Sequence, residues 1–274
     1  GVCSSYAGIG NLLMLQTSNL VVPQWGWHAL WWVLLGVIVA VMALFAAFVK
    51  PGPGEAIVTA ERNKPKAERA SFKDVLKCPE VWMLTFIYLC FGMGVRGYAP
   101  FMSMIFQEQC NVTAAIANNL SSVLTFISIF GAMLGGILFA KAGKKRGYVL
   151  PVIVFLSLGM IFLGFFIQSA TIAWVYVVFC GLFRPMIPGA ITSALPEVTP
   201  SPAVLAFAVS IFTAVGQFCG GMLGPYMVSI AQTIGGGWQA VCVPVGCLWV
   251  IATIFAILVG RSITKKIKRE GDEA

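Results

Sequence analysis

The chain is 274 residues long, 59% hydrophobic and only 10% charged, and its 18 Lys and Arg outnumber 10 Asp and Glu for a net charge of +8. This composition excludes a soluble globular domain and a disordered chain, and it specifies an all-α, polytopic membrane protein whose first partner is the lipid bilayer. Eight cysteines without a CxxC pair, and a single histidine, His28, leave no metal-binding or redox motif, so the cysteines read as free thiols and no cofactor is expected.

Eight apolar stretches are long enough to cross a hydrocarbon core of about 30 Å as helices. They are residues 1–20, 26–49, 82–106, 114–140, 148–168, 171–195, 202–230 and 238–260. The basic residues orient them. Seven lie between Lys50 and Lys77, four between Lys141 and Arg146, and five between Arg261 and Arg269, all on one side of the spans. The opposite connections, 21–25, 107–113, 169–170 and 231–237, carry none. The positive-inside rule then puts linker and tail in the cytoplasm of a cell that carries the protein in its plasma (inner) membrane. The net charge reflects this topology rather than a nucleic-acid partner.

The first span carries Gly8, Gly10 and Asn11. It starts at Gly1 with no signal-peptide pattern, so the chain reads as the C-terminal part of a longer protein. Gly26-Trp27-His28-Ala29 and the apolar run to Lys50 return 211 residues later as Gly237-Trp238-Gln239-Ala240 and the run to Arg261. An echo over two successive spans points to two parallel halves of about six helices each, a known transporter plan. On that plan 1–49 ends an N-terminal half, 50–81 is a solvated linker opening on Pro51-Gly52-Pro53-Gly54, 82–260 is a complete C-terminal half, and 261–274 is a tail. Residues 71–76 read as a short interfacial helix ahead of the anchor Trp82.

The third span holds Arg96, roughly 21 Å from Trp82 and 15 Å from Phe106 along a helix, hence deep in the membrane. Tyr88, Gly92, Arg96 and Ser103 share a helical face, with Tyr98 nearby. The fourth span sets Asn118, Ser122 and Thr125 in a polar stripe that suits either interhelical hydrogen bonds or substrate, and pairs Gly131 with Gly135. The fifth is apolar all round. The sixth carries Arg184 at a depth matching Arg96, followed by Pro185 and Pro188, which deprive the carbonyls of Gly181 and Arg184 of their donors. This predicts a broken helix lining a cavity, because a charge at the bilayer centre costs about 3 kcal/mol unless it faces a partner or a polar space. The seventh spaces Gly216, Gly220 and Gly224 by four as a packing face, with Gln217 its one strongly polar interior side chain. These glycine faces are expected to serve as sliding contacts between halves.

The fourth span ends in Gly136-Ile-Leu-Phe-Ala140-Lys141-Ala142-Gly143-Lys144-Lys145-Arg146. This resembles the loop signature of the major facilitator superfamily, G-x-x-x-(D/E)-(R/K)-x-G-x-(R/K)-(R/K), in the copy of the C-terminal half. Gly136, Lys141, Gly143, Lys144, Lys145 and Arg146 match as a gating loop. Ala140 stands where the family has an acid belonging to a charge relay. The resemblance implies the fifth to twelfth helices of a twelve-helix transporter whose seventh and tenth helices, here the spans of Arg96 and Arg184, line the central cavity.

Two arginines at one depth repel unless an anion lies between them, and no Asp or Glu occurs deep in the spans. The expected function is secondary active transport of a small organic anion, with Arg96, Arg184, Tyr88, Tyr98, Asn118, Ser122 and Gln217 as substrate-binding residues. A coupled proton, cation or exchanged anion must drive uptake. The alternatives are an exporter of drugs or neutral solutes with structural arginines, and a non-transporting receptor of the same fold. An enzyme is not expected, since HExxH, GxSxG and a membrane-depth carboxylate pair are all missing.

Overall fold

The computed structural model describes residues 6–48, 76–199 and 202–272. The expected linker from 50 to 75, with most of its interfacial helix, lies outside them. The described residues are helical apart from short turns. They contain seven helices long and apolar enough to span a membrane, not the eight expected. The missing one is the stretch before Gly26. It is helical from Tyr6, but Asn11, Gln16, Ser18 and Asn19 interrupt its apolar run.

The chain divides into two compact units, one holding the N-terminal helix from Ile9 and the other the bundle from Pro79 onward. Helix α1 (Tyr6–Phe48) is broken at Gly26, whose φ of 77° and ψ of 172° lie in a region open to glycine and to few other residues. The repeat partner Gly237 also sits at a helix start, ahead of the 3₁₀ turn Trp238–Val241. The 211-residue echo thus falls on helix junctions in both places.

In the bundle, α2 (Pro79–Tyr98) starts on a proline at its first turn, where no donor is missed. It passes through the 3₁₀ turn Ala99–Phe101, where Pro100 lacks an N–H, into α3 (Met102–Cys110). Asn111, left-handed at φ 50°, ends α3, and the Thr113 side chain caps α4 (Ala114–Lys141). The signature loop, with Gly143 at φ 52°, leads into α5 (Arg146–Leu163). The sixth span splits into α6 (Ala170–Phe183) and α7 (Met186–Val198) on either side of Arg184 and Pro185. The seventh comprises α8 (Pro202–Thr213), a π-helical segment (Ala214–Cys219) and α9 (Gly220–Gly235). The last helix, α10 (Cys242–Asp272), runs unbroken through the basic residues read as a tail.

Without a water-driven hydrophobic effect between helices, small residues decide where backbones approach. A methyl group added at Gly97 would lie 3.0 Å from the carbonyl oxygen of Gly224, and one at Gly220 would lie 2.9 Å from the Gly92 Cα. The Gly216/Gly220/Gly224 stripe therefore seats α9 on α2. Gly131 and Gly135 likewise seat α4 on the broken sixth span, at 2.8 Å from the Gly181 carbonyl oxygen and 2.6 Å from the Met186 Cα. Both stripes are used up locking helices of the bundle together, which corrects the expectation that they slide between halves.

Candidate functional site

The break in the sixth span follows from its prolines. With Pro185 and Pro188 unable to donate, the ladder stops at Arg184, whose own N–H bonds the Cys180 carbonyl at 3.0 Å. Just before the break, the carbonyl of Phe183, the last residue of α6, accepts from the fully buried Ser157 hydroxyl of α5 at 2.6 Å. Ser157 lies in the span read as apolar all round, and its only sequence signal is a single hydroxyl in an apolar run. Gly189 brings the start of α7 against α4, where a methyl group would meet the Gly136 nitrogen at 2.9 Å.

Arg184 is only 9% exposed, and its Nη1 is buried without a hydrogen-bond partner. Among the described residues no carboxylate pairs with it, and it lies within electrostatic reach of Tyr98 and Cys180. Tyr98 is 1% exposed, and its phenol oxygen is 3.2 Å from that of Tyr176, which donates to the Met160 carbonyl at 2.8 Å. A hydroxyl has one proton, so the bond between the phenols is donated by Tyr98. Tyr98 therefore packs inside the bundle, edge-on to Phe165, rather than beside Arg96.

Arg96 is exposed on α2. Its Nη2 donates to Gln217 Oε1 at 3.0 Å, and Gln217 Nε2 donates to the Tyr88 hydroxyl oxygen at 2.9 Å. Tyr88 is buried, stacked on Phe212 at 4.0 Å and near Phe91 at 5.8 Å, with its ring over Gly216. The structure thus joins Arg96, Gln217 and Tyr88 in one chain. Arg184 stands apart, sharing no hydrogen-bonding residue with Arg96. Ser103, displaced by the turn at Pro100, donates to Asn118 at 2.7 Å, so Asn118 makes an interhelical bond at an exposed position. Ser122 is half-buried beside it, and the Thr125 hydroxyl donates to the Ser121 carbonyl of its own helix.

At the signature loop, Lys141, Lys144 and Lys145 are exposed, while Arg146 forms an ion pair with Glu197 at the end of α7. The Glu197 carbonyl also accepts from Lys266 of α10 at 2.6 Å. Glu197 was legible only as an acid at the basic end of a span. It gives the loop an acidic partner although Ala140 supplies none. An apolar groove of about 520 Å³ between α5 and α10, lined by Phe162, Val243, Gly246, Cys247 and Val250, contains none of these polar residues. Among the described residues no three His, Cys, Asp or Glu side chains converge as a metal site would require.

A family model described as Major Facilitator Superfamily matches residues 1–225 and, in a second match, 84–273. No curated protein matches the chain.

Proposed function

The chain belongs to the Major Facilitator Superfamily, and from that premise we propose that it is a secondary active transporter of a small, carboxylate-bearing organic anion. The observation that carries this reading is Arg184, a cation 9% exposed at a helix break, with a buried Nη1 that has no acceptor. Such a charge costs about 3 kcal/mol at the bilayer centre, and an anion arriving from a cavity supplies the missing acceptor. Arg96, exposed on α2, provides the second positive group, and Asn118 and Ser122 provide polar contacts.

Alternating access would rock two halves about this site. Entry of an anion against an inside-negative potential is opposed by about 2.3 kcal/mol per charge per 100 mV, so uptake needs a coupled proton or cation, or an exchanged anion. The one-sided basic residues support a plasma-membrane location with linker and tail cytoplasmic. The competing reading, a transporter of neutral solutes with structural arginines, is favoured by one observation: Arg96 already has a protein acceptor in Gln217.

Uptake and counterflow of labelled monocarboxylates and dicarboxylates in proteoliposomes separate the two. Saturable flux abolished by Arg96→Gln or Arg184→Gln supports the anion reading. Normal flux in both variants, or no anion flux in folded wild type, removes it.

A further inference from the structure

We propose that Gln217 is a resident stand-in for the substrate carboxylate, occupying the Arg96 guanidinium while the site is empty and yielding it when the anion arrives. The proposal rests on the anion reading above and adds to it how the empty site is kept ready.

The geometry starts with the π segment Ala214–Cys219, in which Gln217 lies. A π turn accommodates one residue more than an α turn, so side chains beyond it are rotated by about 100° relative to a continuous α-helix. Here that rotation coexists with a glycine seam that leaves little freedom. Gly216 sits under the Tyr88 ring, and Gly220 lies against Gly92. The carboxamide is consequently aimed across the seam at α2 with both ends engaged. Nε2 donates to Tyr88 at 2.9 Å and Oε1 accepts from Arg96 at 3.0 Å. The assignment is forced chemically, since a flipped amide would set an NH₂ against a guanidinium, donor against donor. Tyr88, held between Phe212 and Phe91, acts as a positioning residue that fixes the amide's orientation.

A carboxamide oxygen has the planar sp² geometry of a carboxylate oxygen but no charge. It satisfies one guanidinium N–H and leaves the positive charge of Arg96 uncompensated. A carboxylate bonds the same guanidinium through two oxygens and neutralises it, a stronger interaction than the bond it replaces. The resident acceptor is therefore strong enough to hold Arg96 in place and weak enough to be displaced. A glutamate at this position would not be displaced.

The experiment is equilibrium binding of radiolabelled lactate and radiolabelled succinate to the purified protein in detergent, with thermal unfolding measured without ligand. Gln217→Glu, which installs a permanent carboxylate on Arg96, is expected to weaken binding about tenfold or more while raising the unfolding midpoint. Gln217→Met, similar in size but with no acceptor to displace, is expected to tighten binding about threefold and lower the midpoint. Tyr88→Phe, which loosens the amide, should tighten binding by less. Loss of binding in Gln217→Met together with Gln217→Glu overturns the proposal, because Gln217 is then a direct substrate contact or a structural strut. If Gln217→Glu fails to fold, the sign of the Gln217→Met and Tyr88→Phe effects decides. Unchanged binding in Arg96→Gln, or none in folded wild type, removes the anion reading itself, and the stand-in falls with it.

Discussion

The Ser157 hydroxyl donates to the main-chain carbonyl of Phe183 at 2.6 Å, so the last residue before the proline break is tied to a neighbouring helix. The donor, Ser157, is fully buried. Ser157→Ala should destabilise the fold by about 0.5–1.5 kcal/mol, the net worth of one lost hydrogen bond. Thermal unfolding in mild detergent measures it, and an unchanged midpoint would mean that Phe183 finds another donor.

The glycine seam makes a prediction with an internal control. A methyl group at Gly220 would meet the Gly92 Cα at 2.9 Å, whereas one at Gly221 has nothing within 4 Å. Gly220→Leu should therefore force α9 off α2 and cost about 1–3 kcal/mol or more. Gly221→Ala should be neutral or stabilising by up to about 1 kcal/mol, through helix propensity. Size-exclusion behaviour and unfolding midpoints compare the pair. Equal effects at both positions would show that residue identity on α9 matters more than the face.

The Arg146–Glu197 pair is about one third exposed on each side chain, at 31% and 30%. Solvent screens it, and its coupling energy in a double-mutant cycle of Arg146→Met and Glu197→Gln should be about 1 kcal/mol or less, falling with added salt. Lys145→Ala, an exposed neighbour, should leave stability unchanged. A salt-independent coupling of several kcal/mol would mean that the pair is shielded from solvent.

These tests probe features that differ in how visible they were. Apolar runs and prolines are local signals, so the spans from Pro79 onward and the break at Arg184 were legible: Pro185 removes a ladder donor wherever it lies. The π segment was not, because Ala214–Cys219 contains no proline and its register answers to the seam against α2. Pairings across long separations were equally hidden. Arg146 and Glu197 are 51 positions apart, and Arg96 and Gln217 are 121 apart. Depth along a helix placed both arginines at one level, but depth says nothing about azimuth. Arg96 turns to the π segment at Gln217, and Arg184 is buried in the bundle. The first span failed for a different reason: length was right, but its Asn and Gln residues dilute the apolar run.

Arg184 allows function and stability to be separated by sign. A guanidinium 9% exposed, with an Nη1 lacking any acceptor, is a net cost to the folded protein unless a ligand is present. Replacing an uncompensated buried charge by an apolar side chain of similar length relieves the desolvation cost of that ion. Arg184→Met should therefore unfold at a higher temperature than wild type and transport no anion. Arg184→Lys keeps the charge but loses the two-pronged geometry, and it should transport weakly without gaining stability. If Arg184 is instead a strut, its removal opens a cavity where α6 meets α7. Arg184→Met then melts lower, and any loss of transport follows the loss of fold. Unfolding midpoints of both variants, measured beside uptake at a temperature well below either midpoint, decide the matter. A stabilised, inactive Arg184→Met protein is the outcome that only a binding role explains, because strain kept at a site at the expense of stability is retained for what the site does.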